Sequence, residues 1–429
     1  MKGRLGNIFG SEVVRNFAKL FSASVLAQAV GVLVYPVLAR MYTPADFGLL
    51  SLFLSLSGIC GVVATAEYQN AIPLPADDKM AAAVMHGGGA LLLAFSLLLC
   101  CALPFSGALA ELLGSAELAR YLWLVPVFVF VSGLWQLLNY WFTRQKRFNA
   151  VSGYQVGQTL TSAVLKMLFG ARGVGGGLII GTVAAPAVAV ATTVAVTFRK
   201  SLRQVMRFDL ELMRHALREY SLFPKFSLPK SLVNIVNCNI AVLLISPYFG
   251  LSEAGEWGMA MTLGFTPLGL ILNSVYQVLF PRCAQYVQQG KAFLRQYRRS
   301  LLLTACVVMP SFLLLYWILP WLVDLLLGSG WDETARIIRY LLPWFAVMCM
   351  VMPWSFLPDV FFRQKKALGI EVAHLVLRLV AIGAGVAMGS MTVLLAGYAL
   401  AGVVVSVYQL LWFDALVRRY EASATHGAE

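Results

Sequence analysis

Twelve apolar runs, separated by short charged or Pro- and Gly-containing segments, occupy most of this sequence. Because a helix needs about 20 apolar residues to cross a bilayer, each run predicts a membrane span. Only 12% of the residues are charged, against about 25% in soluble domains, which excludes a water-soluble fold. The sequence therefore predicts an all-α polytopic membrane protein with twelve transmembrane helices. The predicted spans are 20–39, 47–66, 84–104, 121–142, 148–169, 174–197, 230–250, 257–280, 301–321, 339–358, 367–388 and 391–413.

The distribution of lysine and arginine tests this number, because these residues are retained on the cytoplasmic side of a membrane. With both termini in the cytoplasm, and with Lys230 and Arg339 at the span ends counted with the adjoining segments, the cytoplasmic segments hold 26 of the 33 basic residues, the outer segments hold five and the spans hold two. A missing or extra helix would disrupt this alternation. The same distribution accounts for the net charge of +13 without a nucleic-acid partner. The N- and C-termini are therefore predicted to be cytoplasmic.

Three short motifs recur in the same order in the two halves of the chain, which indicates an internal repeat. The pairs lie 210, 214 and 219 residues apart, and they are Asp46-Phe47-Gly48 with Glu256-Trp257-Gly258, Leu112-Leu113-Gly114-Ser115 with Leu326-Leu327-Gly328-Ser329, and Arg144-Gln145-Lys146-Arg147 with Arg363-Gln364-Lys365-Lys366. Six spans per half predict two lobes related by a pseudo-two-fold axis, the architecture of alternating-access transporters. The predicted lobes are 1–198 and 230–429, joined by a basic cytoplasmic connector at 199–229.

Polar side chains recur at helical spacing within several spans, where lipid tails cannot satisfy them. We expect them to face a central cavity between the lobes and to bind substrate there. For the uncharged residues, hydrogen bonding between helices is the alternative, and Lys166 lies close enough to a span end to reach the interface instead. The candidate substrate-binding residues are Asn139, Gln155, Thr159, Lys166, Lys230, Asn234, Asn237, Gln277, His374 and Arg378.

Arg378 is the most informative of these residues because it lies near the middle of its span. Its burial costs at least about 2.5–3.5 kcal/mol, so it must pair, with Glu371 or His374 for example, or contact an anionic ligand. No aspartate lies in the middle of a predicted span. A positively charged cavity suits a phosphate or a diphosphate better than it suits a cationic drug.

Catalytic and metal-binding motifs are absent from the sequence. It contains no GxSxG, HExxH or Walker motif, and its seven cysteines are scattered without metal-ligand spacing. We therefore predict neither an enzyme nor a resident metal or cofactor. Coupling to H⁺ or Na⁺ is left open.

Several segments resemble the Wzx-type oligosaccharide flippases of the multidrug/oligosaccharidyl-lipid/polysaccharide (MOP) exporter superfamily. The resemblance covers nearly the whole chain. It is carried by 38–48 (LARMYTPADFG), 139–141 (NYW) leading into 144–148 (RQKRF), 223–229 (FPKFSLP), 276–282 (YQVLFPR), and 326–328 (LLG) followed by Trp331.

This resemblance implies that the chain moves an undecaprenyl-diphosphate-linked glycan from the cytoplasmic to the periplasmic leaflet of a bacterial inner membrane. Family members hold the charged head in a cationic central cavity, and Arg378 matches a basic residue often found in the eleventh span. A glycan polymerase and other assembly proteins are the implied partners. One departure is visible: Glu67-Tyr68-Gln69 stands where relatives commonly have Arg-Tyr-Glu.

Three other functions fit parts of the pattern. A multidrug or organic-cation antiporter on the same fold would place a carboxylate in the middle of a span. A membrane glycan polymerase or ligase would carry a large outer loop with catalytic side chains, whereas the outer loops predicted here are short. A scaffold that recruits glycan enzymes through the basic connector is not distinguished by sequence. Accumulation of inner-leaflet lipid-linked glycan in a deletion strain separates the flippase from all three.

Overall fold

The computed structural model describes residues 29–197, apart from Val32, and residues 208–426. The predicted start of the first span, 20–28, and the connector residues 198–207 lie outside the described residues. The long helices, numbered in chain order, are α1 Ala29–Ala39, α2 Pro44–Ala64, α3 Asp78–Cys101, α4 Leu124–Arg144, α5 Phe148–Ala171, α6 Gly177–Thr197, α7 Leu228–Phe249, α8 Leu251–Gln288, α9 Leu294–Leu327, α10 Asp332–Val351, α11 Gln364–Ala387 and α12 Met391–His426. Leu210–Glu219 forms a further helix, here called the connector helix.

The all-helical, multi-pass fold class is confirmed, since the described residues contain long helices and no strand. Ten of the described helices are long and apolar enough to cross a membrane. α5 is not among them, although it has 24 residues, because polar residues such as Gln155 and Thr159 interrupt it. α1 is described over only part of its predicted span. The number of twelve spans and the cytoplasmic position of both termini stay predictions.

Local sequence signals explain where the helices begin. Thr43 forms a capping box with Asp46 before Pro44: the Asp46 amide donates to Thr43 Oγ1 at 3.3 Å, and the Thr43 amide donates to the Asp46 carboxylate at 2.8 Å. Asp77 caps α3 by accepting from the Lys79 amide at 3.2 Å. Such caps satisfy amide groups that have no partner within the helix.

The chain divides into two compact units, Met1–Gly255 and Glu256–Glu429, and the division falls inside α8. In the first unit, α7 packs against α2, and Ser246 donates to the carbonyl oxygen of Leu113 at 2.8 Å. Gly255 lies directly against the Pro44 carbonyl, where an added β-carbon would collide with it. The first unit therefore includes α7, which the sequence assigns to the second lobe. The predicted boundaries at 198/199 and 229/230 stay a prediction.

The connector helix is docked on the first unit. The Tyr68 hydroxyl donates to the Leu217 carbonyl at 2.8 Å, and the Leu217 side chain packs so closely on Gly87 that a β-carbon there would lie 2.6 Å away. Met213 and Ala216 are buried on the same side. This part of the predicted connector is therefore anchored by packing on α3.

The second unit has an aromatic core at the end where α9 and α11 begin. Tyr297, Trp354 and Phe356 are buried there, and the rings of Tyr297 and Trp354 meet edge to face at 4.8 Å. Trp412 of α12 belongs to the same cluster. Rings packed in this way resist displacement, so the cluster fixes the positions of α11 and α12 at this end.

Candidate substrate-binding residues

Arg378 lies in a box of aromatic rings in the second unit. Its guanidinium carbon is 4.8 Å from the centre of the Trp344 ring on α10 and 4.4 Å from that of Tyr398 on α12. The residue is only 4% exposed. Each such cation–π contact contributes about 0.5–2 kcal/mol, which offsets part of the cost of burying the charge.

Residues on neighbouring helices leave space for these rings or pack against them. A β-carbon at Gly402 would lie 2.5 Å from the Trp344 indole, so a glycine on α12 makes room for it. Tyr398 also packs edge to face on Trp257 at 4.9 Å. The position of the guanidinium is therefore set by side chains from three neighbouring helices.

His374 lies one turn before Arg378 on α11 and is 9% exposed. Its ring meets Trp344 edge to face at 6.4 Å, and its Nε2 makes no hydrogen bond with any described residue. The structure thus brings His374 and Arg378 together on one buried face. The sequence predicts that both face a water-filled cleft, whereas both residues are buried in this structure.

Lys166 belongs to α5 of the first unit, and its half-buried side chain lies against α6. Its Cγ would lie 2.8 Å from a β-carbon at Gly181, so the aliphatic stem packs against a glycine. The Tyr42 hydroxyl donates to the Lys166 carbonyl oxygen at 2.8 Å. Burial and the nearby Asp46 carboxylate raise the pKa of Tyr42 to about 12, so this donor stays protonated at neutral pH.

The other predicted residues differ in exposure. In the first unit, Asn237 is buried and Lys230 and Asn234 are exposed, one turn apart along α7. Three more are half-buried in the same unit: Asn139, Gln155 and Thr159. Gln277 is exposed in the second unit. The assignment of these residues to one binding cavity stays a prediction.

A tightly bonded loop follows α2 in the first unit. Arg144, the last residue of α4, donates to four carbonyl oxygens between Ile72 and Ala76 and to the Asp78 carboxylate at 2.9 Å. The N–H groups of its guanidinium therefore hold the loop in place through hydrogen bonds. Arg144 is a structural residue.

Glu67 is a buried carboxylate at the start of this loop. Ala66 and Glu67 have φ angles of 47° and 63°, a left-handed conformation that non-glycine residues adopt only under constraint. The Glu67 carboxylate accepts from the side-chain amides of Gln69, at 3.3 Å, and Asn70. Amide donors thus hold the carboxylate at the point where the chain departs from the Arg-Tyr-Glu pattern.

Sequence reasoning missed the aromatic partners of Arg378 and the loop around Glu67. Trp344 and Tyr398 come from other helices, and helical periodicity does not fix which residues of different helices face each other. One signal was present: a buried mid-span arginine requires compensation from neighbouring spans.

Several solved structures have a fold similar to that of this chain. The structure superimposes on the lipid II flippase MurJ, in an inward closed conformation, with a TM-score of 0.72 over 95% of this chain and 90% of that one, at 14% identity. It superimposes on an inward-facing multidrug resistance MATE family transporter with a TM-score of 0.62 over 96% and 99%, at 13% identity. A MOP superfamily transporter from Pyrococcus furiosus gives a TM-score of 0.60 over 95% and 96%, at 15% identity.

The helices and these superpositions define a polytopic membrane protein with the fold of MOP-superfamily transporters. The family described as "Polysaccharide biosynthesis protein" matches residues 37–336, more than half of the chain, so the chain belongs to that family. A succinoglycan biosynthesis transport protein of Rhizobium meliloti, ExoT, is 23% identical over 297 residues, which are 69% of this chain and 58% of that protein's length. The chain thus spans less than two thirds of the length of this relative.

Proposed function

We propose that this protein is a flippase that moves an undecaprenyl-diphosphate-linked oligosaccharide from the cytoplasmic to the periplasmic leaflet of a bacterial inner membrane. The observation that carries the proposal is Arg378, a basic side chain fixed near the middle of α11 against two aromatic rings. An ionisable group at that depth is costly and marks a transport pathway by default. The family match supplies the polysaccharide context.

The charge of the described spans favours an anionic substrate. In α8, α9 and α11, the described carboxylates lie away from the helix centres: Glu253 and Glu256 begin α8, Asp324 lies near the end of α9, and Glu371 lies in the first third of α11. In α12, Asp414 lies just beyond the predicted span 391–413. A diphosphate offers two charged groups to guanidinium and ammonium donors. An organic cation would instead favour carboxylates in the middle of the spans.

The proposed mechanism is alternating access. The diphosphate and first sugars enter a hydrophilic cleft between the lobes, while the prenyl chain stays in the bilayer. Arg378, His374, Lys166 and the polar faces of α5 and α7 bind the head group, and rocking of the lobes changes the side that is open. Opening of the aromatic box exposes the Arg378 guanidinium to the diphosphate. The resemblance to a lipid II flippase in fold supports a lipid-linked head group as the cargo.

A deletion strain tests this function. We expect loss of the surface polysaccharide and accumulation of its lipid-linked precursor, with both effects reversed by the wild-type gene. Efflux of a cationic dye such as ethidium should not change. Unchanged polysaccharide together with impaired dye efflux would contradict the proposal and assign the chain to the multidrug antiporters.

A further inference from the structure

A cationic cavity of about 370 Å³ lies between the start of α11 and the later part of α12, in the second unit. Three of its lining residues are basic, namely Arg363, Lys366 and Arg419, and none is acidic. The rings of Tyr408 and Trp412 form part of its wall. This cavity is distinct from the Arg378 box, which lies three turns further along α11.

Lys366 is held in this cavity by aromatic rings. Its ammonium nitrogen lies 5.0 Å from the centre of the Trp412 ring and 5.5 Å from that of Tyr408. Trp412 is 8% exposed and is anchored in the aromatic core. Asp414, two residues after Trp412 on α12, pairs with Arg298 at 2.9 Å and with Arg418 at 2.6 Å.

The start of α11 adds to the positive potential. Arg363 occupies the N-cap position without a side-chain cap, and the first turn has no acidic residue. Basic residues are unfavourable at a helix N-terminus, because the helix dipole and the unpaired amides there favour an anion. An anion bound in the cavity would neutralise both contributions.

The first unit has a cavity at the equivalent position of the repeat. It has a volume of about 450 Å³, lies between the start of α5 and the end of α6, and is lined by Lys146 and Arg147 without an acidic residue. Arg147 is the N-cap of α5, again without a side-chain cap. In each half, the residue before the N-cap has a positive φ: 56° at Lys146 and 53° at Phe362. The two units thus build the same feature independently.

An apolar surface leads away from the cavity along α12. Leu400, Val404, Val407 and Leu411 follow each other at spacings of four, three and four residues and are between 40% and 67% exposed. Leu411 also lines the cavity. A ligand with an anionic head and a hydrocarbon tail matches both surfaces. By the distribution of lysine and arginine, this end of the helices is predicted to lie at the inner leaflet.

We propose that the cavity between α11 and α12 binds the phosphate group of an inner-leaflet lipid, with the cavity between α5 and α6 as its repeat-related counterpart. Lys366, Arg363 and Arg419 contact the phosphate, and the lipid chain follows the apolar face of α12. The proposal does not depend on the transported substrate, since it needs only binding at the membrane surface.

Native mass spectrometry of the purified full-length protein tests this site. The probes are dioctanoyl-phosphatidylglycerol, dioctanoyl-phosphatidylcholine and farnesyl diphosphate, each titrated against the wild type, K366Q, R419Q and K365Q. Lys365 is the matched control, because it is an exposed neighbour that does not line the cavity. We expect K366Q and R419Q to weaken binding of an anionic probe about threefold to tenfold, and K365Q to leave it unchanged.

The choice of probe identifies the source of the phosphate. Tighter binding of phosphatidylglycerol assigns the site to a resident phospholipid, and tighter binding of farnesyl diphosphate assigns it to a prenyl diphosphate; either result supports the proposal. Equal affinities of K366Q, K365Q and wild type would overturn it, as would binding of phosphatidylcholine equal to that of both anionic probes. A protein that binds these lipids and transports no glycan would refute the proposed function alone.

Discussion

The two units hold a poorly accessible arginine in different ways. In the first unit, hydrogen bonds to backbone carbonyls and to Asp78 surround Arg144, whose side chain is 13% exposed. In the second unit, Trp344 and Tyr398 lie against Arg378, which is 4% exposed. Carbonyl oxygens and a carboxylate accept the N–H groups of Arg144, whereas aromatic rings lie against the guanidinium of Arg378. The first arrangement fixes a loop, and the second offsets part of the cost of a buried charge through cation–π contacts.

The largest effect on stability is expected when the hydrogen bonds from Arg144 to the loop after α2 are removed. R144A removes a charged donor from several acceptors at once, so we expect the free energy of unfolding to fall by about 3 kcal/mol and amide exchange in residues 65–78 to accelerate. R363A changes the corresponding arginine of the repeated motif, which is exposed, and should cost less than about 0.5 kcal/mol. Equal losses for the two variants would remove the structural role assigned to Arg144.

Arg378 should behave in the opposite way. R378M keeps the packing between the rings and removes the charge, so we expect the protein to be at least as stable as the wild type. Glycan export per folded protein should fall about 10- to 50-fold, as expected for one lost charge-assisted contact, and R378K should restore part of it. Destabilised R378M with unchanged export per folded protein would show that Arg378 is structural, like Arg144.

Gly402 offers a way to move the ring without touching the cation. In G402A the new methyl group would meet the Trp344 indole, and overpacking of this kind costs about 1–3 kcal/mol. We expect altered tryptophan fluorescence and a severalfold drop in export. G383A is the control, because nothing lies within 4 Å of a β-carbon at that position. If both variants export equally well, the position of Trp344 does not matter for transport.

The smallest effect is expected at Lys166, where packing and charge are separable. K166M keeps a stem against Gly181 and removes the ammonium group, so stability should stay within about 0.5 kcal/mol of the wild type. Export should fall about threefold if the ammonium reaches the substrate. If K166M exports glycan at the wild-type rate, the role of Lys166 is limited to packing between α5 and α6.

The sequence predicted the helices better than it predicted their contacts. Apolar runs and charge alternation locate the spans because both arise from the membrane itself. The aromatic box around Arg378 depends on which faces of α10, α11 and α12 meet, and one sequence does not contain that register. The internal repeat likewise does not fix where its helices begin. The basic motifs of the two halves begin 219 residues apart, at Arg144 and Arg363. The helices that follow begin 216 residues apart, at Phe148 and Gln364. The motif precedes α5 but extends into the first turn of α11.

Reconstitution tests the central claim most directly. Liposomes containing the purified protein and a labelled undecaprenyl-diphosphate-linked oligosaccharide would be exposed to a membrane-impermeant reagent that modifies only outer-leaflet sugar. The account predicts that wild-type protein makes the inner-leaflet label accessible faster than protein-free liposomes do, and that R378M lowers this protein-dependent rate about 10- to 50-fold. If the label becomes accessible no faster with wild-type protein than in protein-free liposomes, the account is contradicted.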